Sequence, residues 1–417
     1  MNIVSKSDSE IQVEGGCYLN IIQQSSQNAT INNLMINLVF SVSPSNITLF
    51  NDITGAFYIN NYQILGRYLN QGTVALIGLT INNSNFTAQN ININPNTFNV
   101  GNYSSFLLCQ VVQSQVKFSH VSIVLGNQSF SQVLNQVDSN ISHMYQFGGL
   151  ITNLSQTSSL IIQYVLLNSY QEYITQYIQY SGILLGNSDS DLNNIQFNNI
   201  CLLQILNNIR NMTYFGLIGY IQGNISYFES NIEIQINKAS DIHAFGIYGY
   251  LVPQYAEILN VATSVSLQLN NDSNANNNYI SALIGVQTQK KCLVQNISID
   301  SSNISSKQCF GTVIGFIFSS NLQVLNCTIQ NSNFTTYIKS SGIFIGQATS
   351  TQILIVNTQI SSVALSCPTS SSMTIGANLG NKFDIQNTVF YGGNNILNNN
   401  IFDNVQYELE VSALNNQ

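Results

Sequence analysis

The sequence predicts an all-β chain: a parallel β-solenoid of about 9–10 rungs, each of roughly 30–36 residues. Three observations carry this reading. A short glycine-bounded phrase recurs at near-constant spacing, a period-two run of β-branched residues keeps register with it, and prolines number only 4 in 417 residues.

The phrase comes first. It reads "GILLG" ending at Gly186, "FGLIG" at Gly219, "FGIYG" at Gly249, "SALIG" at Gly285, "GTVIG" at Gly315 and "GIFIG" at Gly346, with a shorter "MTIG" at Gly376. Successive closing glycines lie 33, 30, 36, 30, 31 and 30 residues apart. Upstream, "VALIG" ends at Gly78, "SFLLC" places Cys109 at the same position and "GGLIT" places Thr152 there. Each closing glycine is expected to turn a corner at positive φ, where a Cβ would clash. The two aliphatic residues before it should stack along the rod. Alternation lets only one of each pair point inward, and the reading places Leu283, Val313 and Phe344 inside, with Ile284, Ile314 and Ile345 outside.

The second element follows at twelve and fourteen residues after the closing glycine: Val261 and Thr263, Ile297 and Ile299, Cys327 and Ile329, Thr358 and Ile360. Asn198 and Ile200 keep the rule in part. After Gly219 the register slips by one, onto Ile232, Ile234 and Ile236. Period two with β-branched residues signals strand. A third stretch such as "NFTTYIK" (333–339) completes a unit of three strands and three turns. Such a unit cannot bury an apolar face alone; stacked at about 4.8 Å per rung, the units make a rod roughly 45 Å long. Asn-rich turns suit left-handed corners. A propeller of antiparallel blades would need hairpin turns, and no Asn-Gly or Asp-Gly hairpin signal separates paired strands.

The array is expected over 67–380, with a protruding loop inserted within 109–152. Residues 1–66, with "IQVEGGCYLNII" and "INNLMINLVFSV", read as irregular first rungs or a cap. Residues 381–417 read as a C-terminal cap or a continuation.

The recurrent phrase resembles the GLUG-motif family, named for a Gly-Leu-any-Gly phrase. The carriers are "GLIG" (216–219) and "ALIG" (282–285), followed by a polar turn and a strand similar to the family's, "NLQVLNCTI" (321–329). The likeness covers about 140–380 well and 70–140 weakly. The chain has fewer doubled glycines than the family and more Asn, Gln and Tyr. The resemblance implies a repetitive protein of large surface or secreted, adhesin-like type.

Composition narrows the function classes. Charged residues make up only 7%, against about a quarter in soluble domains, so Asn, Gln, Ser and Thr must cover the surface. Net charge is −8 and the arginines are only Arg67 and Arg210, so no basic patch for nucleic acid can assemble. Seven cysteines lie far apart without a CxxC or Cys/His cluster, which argues against zinc and redox sites. No apolar run reaches the length of about 18 residues that a membrane helix needs. The opening "MNIVSKSDSEIQVEGG" lacks a signal-peptide pattern; the expectation is an intracellular protein or a piece of a longer one.

Candidate chemistry is sparse. "NSDSDLNN" alternates oxygens at Asn187, Asp189, Asp191 and Asn193, and Asp189 and Asp191 are the metal candidates. An EF-hand would need Gly and Glu where Leu192 and Asn198 stand, so a solvated turn is the plainer reading. Glu229 and Glu233 would share a face of the strand through Ile232. Glycoside hydrolysis needs two facing carboxylates, and no Arg or His accompanies this pair. His120, His143 and His243 read as surface or turn residues, and Lys290–Lys291 as a turn. Tyr170, Tyr173, Tyr177 and Tyr180 lie close together and suit sugar stacking or partial burial. Fifteen N-x-S/T sequons, among them Asn296, Asn303, Asn326 and Asn333, permit glycosylation.

The functional expectation is a non-catalytic cell-surface or secreted module, adhesin-like, binding glycans or surface proteins through its lateral face, with no cofactor and no nucleic-acid partner. A polysaccharide-active β-helix enzyme and an intracellular scaffold are the alternatives.

Overall fold

In a computed structural model, the chain is a parallel β-solenoid. The structure describes residues 22–399 except 26–28, 41–46, 70–73, 100–104, 126–129, 132–145, 156–157, 170–171, 189–194, 206, 223–227, 240–243, 253–254, 270–278, 289–290, 307–308, 338–340, 373–374, 380–381 and 391–394. The expected loop within 109–152 therefore falls largely outside the described residues. Among the described residues the regular elements are all strands, and the pairings between them are parallel. One column of partners traces the rod: Phe50, Gly78, Leu108, Ile151, Leu185, Ile218, Tyr248, Ile284, Ile314, Ile345 and Ile375. It reaches back beyond the recurrent phrase, because Ile47–Leu69 pairs along its length with Val74–Asn99.

A rung from the C-terminal half shows the local logic. It contains β1 (Ile284–Thr288), β2 (Lys291–Gln295), β3 (Ser298–Asp300), β4 (Asn303–Ser306) and β5 (Cys309–Gly311). This differs from the three strands expected. The stretch quoted as one strand, 321–329, breaks at Asn326, whose φ is 54°. Its first part, Asn321–Leu325, stacks on β2 as a separate side of the solenoid. That side forms a five-stranded sheet with Tyr255–Leu259, Gln352–Val356 and Lys382–Gln386. The register-keeping residues point into the core: Ile297, Ile299, Cys327, Ile329, Thr358 and Ile360 are all buried.

The corners explain the Asn and Ser content. Left-handed backbone occurs at Asn260, Asn296, Asn326, Asn357 and Asn387 on one corner. Ser319 and Ser350 occupy a second, and Ser301, Asn331 and Ser362 a third. At many of these the next residue is a small hydroxyl or thiol turned inward, which donates to the carbonyl two residues back. Ser332 does so to Gln330 at 2.6 Å, Thr351 to Thr349 at 2.9 Å and Cys327 to Leu325 at 3.3 Å. The inward polar atom is thereby satisfied as it is buried. The pentapeptide Asn-Ser-Asn-Phe-Thr stands at both 83–87 and 331–335, on different corners, and folds alike. The first Asn is left-handed (φ 48° and 49°), and the Ser and Phe are buried. Local sequence writes local structure there.

Two expectations about the phrase are corrected. First, Leu283, Ile284, Val313, Ile314, Phe344 and Ile345 are all fully buried. Alternation fails because residues 282–283, 312–313 and 343–344 form a bend rather than a pleated strand, so that both members of each pair turn inward. Second, the closing glycines do not have positive φ; Gly55 (φ 91°) is the glycine that does among the described residues. Their role is close approach. A methyl group on Gly315 would lie 2.7 Å from the Gly285 carbonyl oxygen and 2.8 Å from Ile280 N. On Gly346 it would lie 2.6 Å from the Gly315 carbonyl oxygen. The phrase is a neck where backbone of one rung presses on backbone of the next. Gly78 stands apart: it pairs with Leu108, one position off the line of closing glycines, and a methyl there would meet the Ile53 Cδ1 at 3.1 Å.

Candidate functional site: the lateral face

The five-stranded side is a separate parallel sheet with its own outward face. Its inward residues, such as Ala256, Cys292 and Leu322, then Ile258, Val294, Val324 and Ile355, are buried, which fixes the alternate residues outward. Three outward columns result. Tyr255, Lys291, Asn321 and Gln352 are exposed, and Glu257, Leu293, Gln323 and Leu354 form the next column. Leu259, Gln295, Leu325 and Val356 form the third and are half-buried. The face thus mixes amide, aliphatic and few charged groups.

Both long edges of this face are corner ladders. Along one edge the Asn296 side-chain amide donates to Asn260 Oδ1 at 3.0 Å, Asn326 to Asn296 at 3.4 Å and Asn357 to Asn326 at 3.3 Å. Their backbone N–H groups bond to the next rung as well, Asn326 N to the Val356 carbonyl at 3.0 Å. Along the other edge Phe318 is 44% exposed beside Ser319, and Tyr255, where the sheet begins, is 40% exposed. Burial, and then the neighbouring Glu257 carboxylate, push the Tyr255 phenol above its ordinary value.

A second set of aromatics lies on the position following the closing glycine. Tyr220 and Tyr250 rings are 5.5 Å apart, and Tyr250 Oη lies 3.3 Å from Thr288 Oγ1. Tyr279, just before the phrase, stacks on Phe316, just after it in the next rung, at 4.6 Å and 28°. The Tyr279–Phe316 pair is stacked and the Tyr220–Tyr250 pair tilted at 45°, and all four residues are half-buried. The sequence reading missed these aromatics; their signal is the residue after three of the closing glycines, Tyr220, Tyr250 and Phe316, whereas Val286 and Gln347 hold the same position in other rungs.

The residues singled out from sequence fare differently. Asp189, Asp191, Asn193, His143, His243, Tyr170 and Lys290 lie outside the described residues, and Asn187 is buried. Glu229 and Glu233 lie on Phe228–Ala239, paired with Gln196 and Cys201, and their side chains, like those of Tyr173, Tyr177 and Tyr180, are outside the described part. His120 sits at a left-handed corner with φ 54° and stacks on Tyr164 at 4.9 Å. Cys292 and Cys327 are buried free thiols, each pushed up to about 12 by desolvation. They pack as apolar groups rather than nucleophiles. Among the described residues no three His, Cys, Asp or Glu gather to hold a metal, and no helix is long and apolar enough to cross a membrane.

Comparison with protein-family models, curated proteins and solved structures finds no match to this chain.

Proposed function

We propose that this chain is a non-catalytic surface or secreted module that binds glycans or proteins through its lateral face. The observation that carries the reading is the five-stranded face: columns of largely amide and aliphatic side chains stacked over successive rungs and bordered by an asparagine ladder. Amides hydrogen-bond hydroxyls and peptide groups without needing charge, and a regular array suits an extended or repetitive partner. The resemblance to adhesin-like repeats points the same way. Catalysis would instead ask for convergent ionisable groups of perturbed pKa.

The test has two arms. The purified chain is screened against immobilised polysaccharides for both retention and turnover, and intact and permeabilised cells are stained for it in parallel. Retention without turnover, weakened by Gln323→Ala with Tyr255→Ala, is the expected result. Turnover abolished by Glu229→Gln or Asp189→Asn would replace this reading with the polysaccharide-active enzyme, and staining confined to the cytosol would leave the intracellular scaffold.

A further inference from the structure

The sequons do not all stand on equivalent ground. Seven of them have described side chains: Asn82, Asn85, Asn153, Asn296, Asn303, Asn326 and Asn333. Asn296 and Asn326 are exposed, yet their amide nitrogens are committed to the ladder, Asn296 Nδ2 to Asn260 and Asn326 Nδ2 to Asn296. A glycan is attached through that nitrogen. Its first sugar would have to fit between rungs about 4.8 Å apart, at residues whose left-handed backbone (φ 56° and 54°) aims the side chain along the rod. Asn82 and Asn153 have side-chain oxygens buried without a partner, so a bulky group there would force neighbouring rungs apart.

Asn85, Asn303 and Asn333 are different. Each begins an extended segment directly after an inward serine, Ser84, Ser302 or Ser332. Each is exposed and makes no side-chain hydrogen bond to the described residues. The next residue, Phe86, Ile304 or Phe334, is buried, which puts the Asn and the hydroxyl residue two positions on (Thr87, Ser305 or Thr335) on the same outer side. Acceptor and sequon hydroxyl therefore both face outward with no side-chain hydrogen bond to break; Asn303 and Asn333 are partners in adjacent rungs, so a glycan on either must project away from the rod rather than along it.

We propose that Asn85, Asn303 and Asn333 are N-glycan acceptor sites, and that Asn296 and Asn326 stay unmodified in the folded protein although they carry the same motif. The inference rests on the secretory half of the proposed function. Attachment precedes folding, so the distinction appears as survival: chains modified at the ladder positions fail to close the corner and are retained.

To separate this from native location, the full chain is secreted from a eukaryotic host behind an added leader. The folded, secreted pool is treated with peptide N-glycanase in heavy-oxygen water, and labelled Asp is mapped by mass spectrometry. The label is expected at 85, 303 and 333, and not at 296 or 326. Replacing Asn85, Asn303 and Asn333 together by Gln should remove the corresponding gel-mobility shift, and Asn296→Gln should not alter it. Label at 296 or 326 in folded secreted protein, or bare 85, 303 and 333, overturns the proposal. Staining of the native cell tests location independently of either outcome.

Discussion

The amide of Asn296 donates to the Oδ1 of Asn260 at 3.0 Å, although the two residues are a full rung apart in sequence. Both have φ near 55°, and each begins a new side of the solenoid. The ladder therefore combines a conformational demand with a chain of hydrogen bonds, and the two can be separated. Asn326→Ala should cost the left-handed penalty of roughly 1–2 kcal/mol and about 1 kcal/mol per lost hydrogen bond. Asn326→Gly should lose only the bonds. Denaturant midpoints of the two variants check this: equal midpoints would mean that the left-handed backbone carries no cost.

The glycine neck gives a position-specific prediction. Gly315→Ala drives a methyl to within 2.7 Å of the Gly285 carbonyl oxygen, which is backbone and has little room to move. Destabilisation by at least the overpacking range of about 1–3 kcal/mol is expected. Gly78→Ala meets only the end of the Ile53 side chain at 3.1 Å and should be far milder. Thermal unfolding of the pair measures the difference, and equal losses would contradict the close-approach role.

Because both aliphatic positions of the phrase face inward, Leu283→Ala and Ile284→Ala should each cost about 2–5 kcal/mol. A pleated strand would make one of them nearly silent. Equilibrium unfolding in urea distinguishes the two cases.

Asp300 sets the pH dependence of the third corner. Its carboxylate accepts from Gln330 Nε2 at 3.0 Å, Asn331 Nδ2 at 3.1 Å and Ser301 Oγ at 3.0 Å. Chiefly the Gln330 bond, opposed by partial desolvation, holds its pKa below the ordinary 3.8. A depressed carboxyl stabilises the fold above its unfolded value, and that contribution is lost as pH falls through the folded value. Asp300→Asn should therefore be less stable than the parent at neutral pH, with the gap closing below about pH 4. A gap that widens in acid would reverse the assignment. Salt should matter little, since these are hydrogen bonds rather than ion pairs.

The periodicity of Gly186, Gly219, Gly249, Gly285, Gly315 and Gly346 made the solenoid legible, and the inward register of Ile299, Ile329 and Ile360 was equally plain. The side formed by Asn321–Leu325 was not: its buried Leu322 and Val324 are followed by Cys327 and Ile329 three and five residues after Val324, because the left-handed Asn326 adds one position and turns the chain onto a new side. That single break in the alternation is the only mark of the corner in the sequence, and it is easily read as a slip within one strand. The glycine role was misassigned for a different reason: sequence records that a Cβ is forbidden, and conformation and proximity are equally good causes of that. The lateral face was hidden because its columns join residues 30 or more apart in sequence, such as Leu293 and Gln323, and only the stacking register brings them together.

One sequence repeat is one rung, so a whole rung can be removed without disturbing the others. Deleting residues 316–346 joins Gly315 to Gln347 and keeps every column in phase; deleting 316–330 removes about half a rung and puts every later column out of phase. Circular dichroism and small-angle scattering of the two proteins provide the measurement. The full-rung deletion is expected to fold as a β-rod shorter by about 4.8 Å, and the half-rung deletion is expected not to fold. Equal disruption by both deletions, or equal tolerance of both, would contradict the identity of repeat and rung.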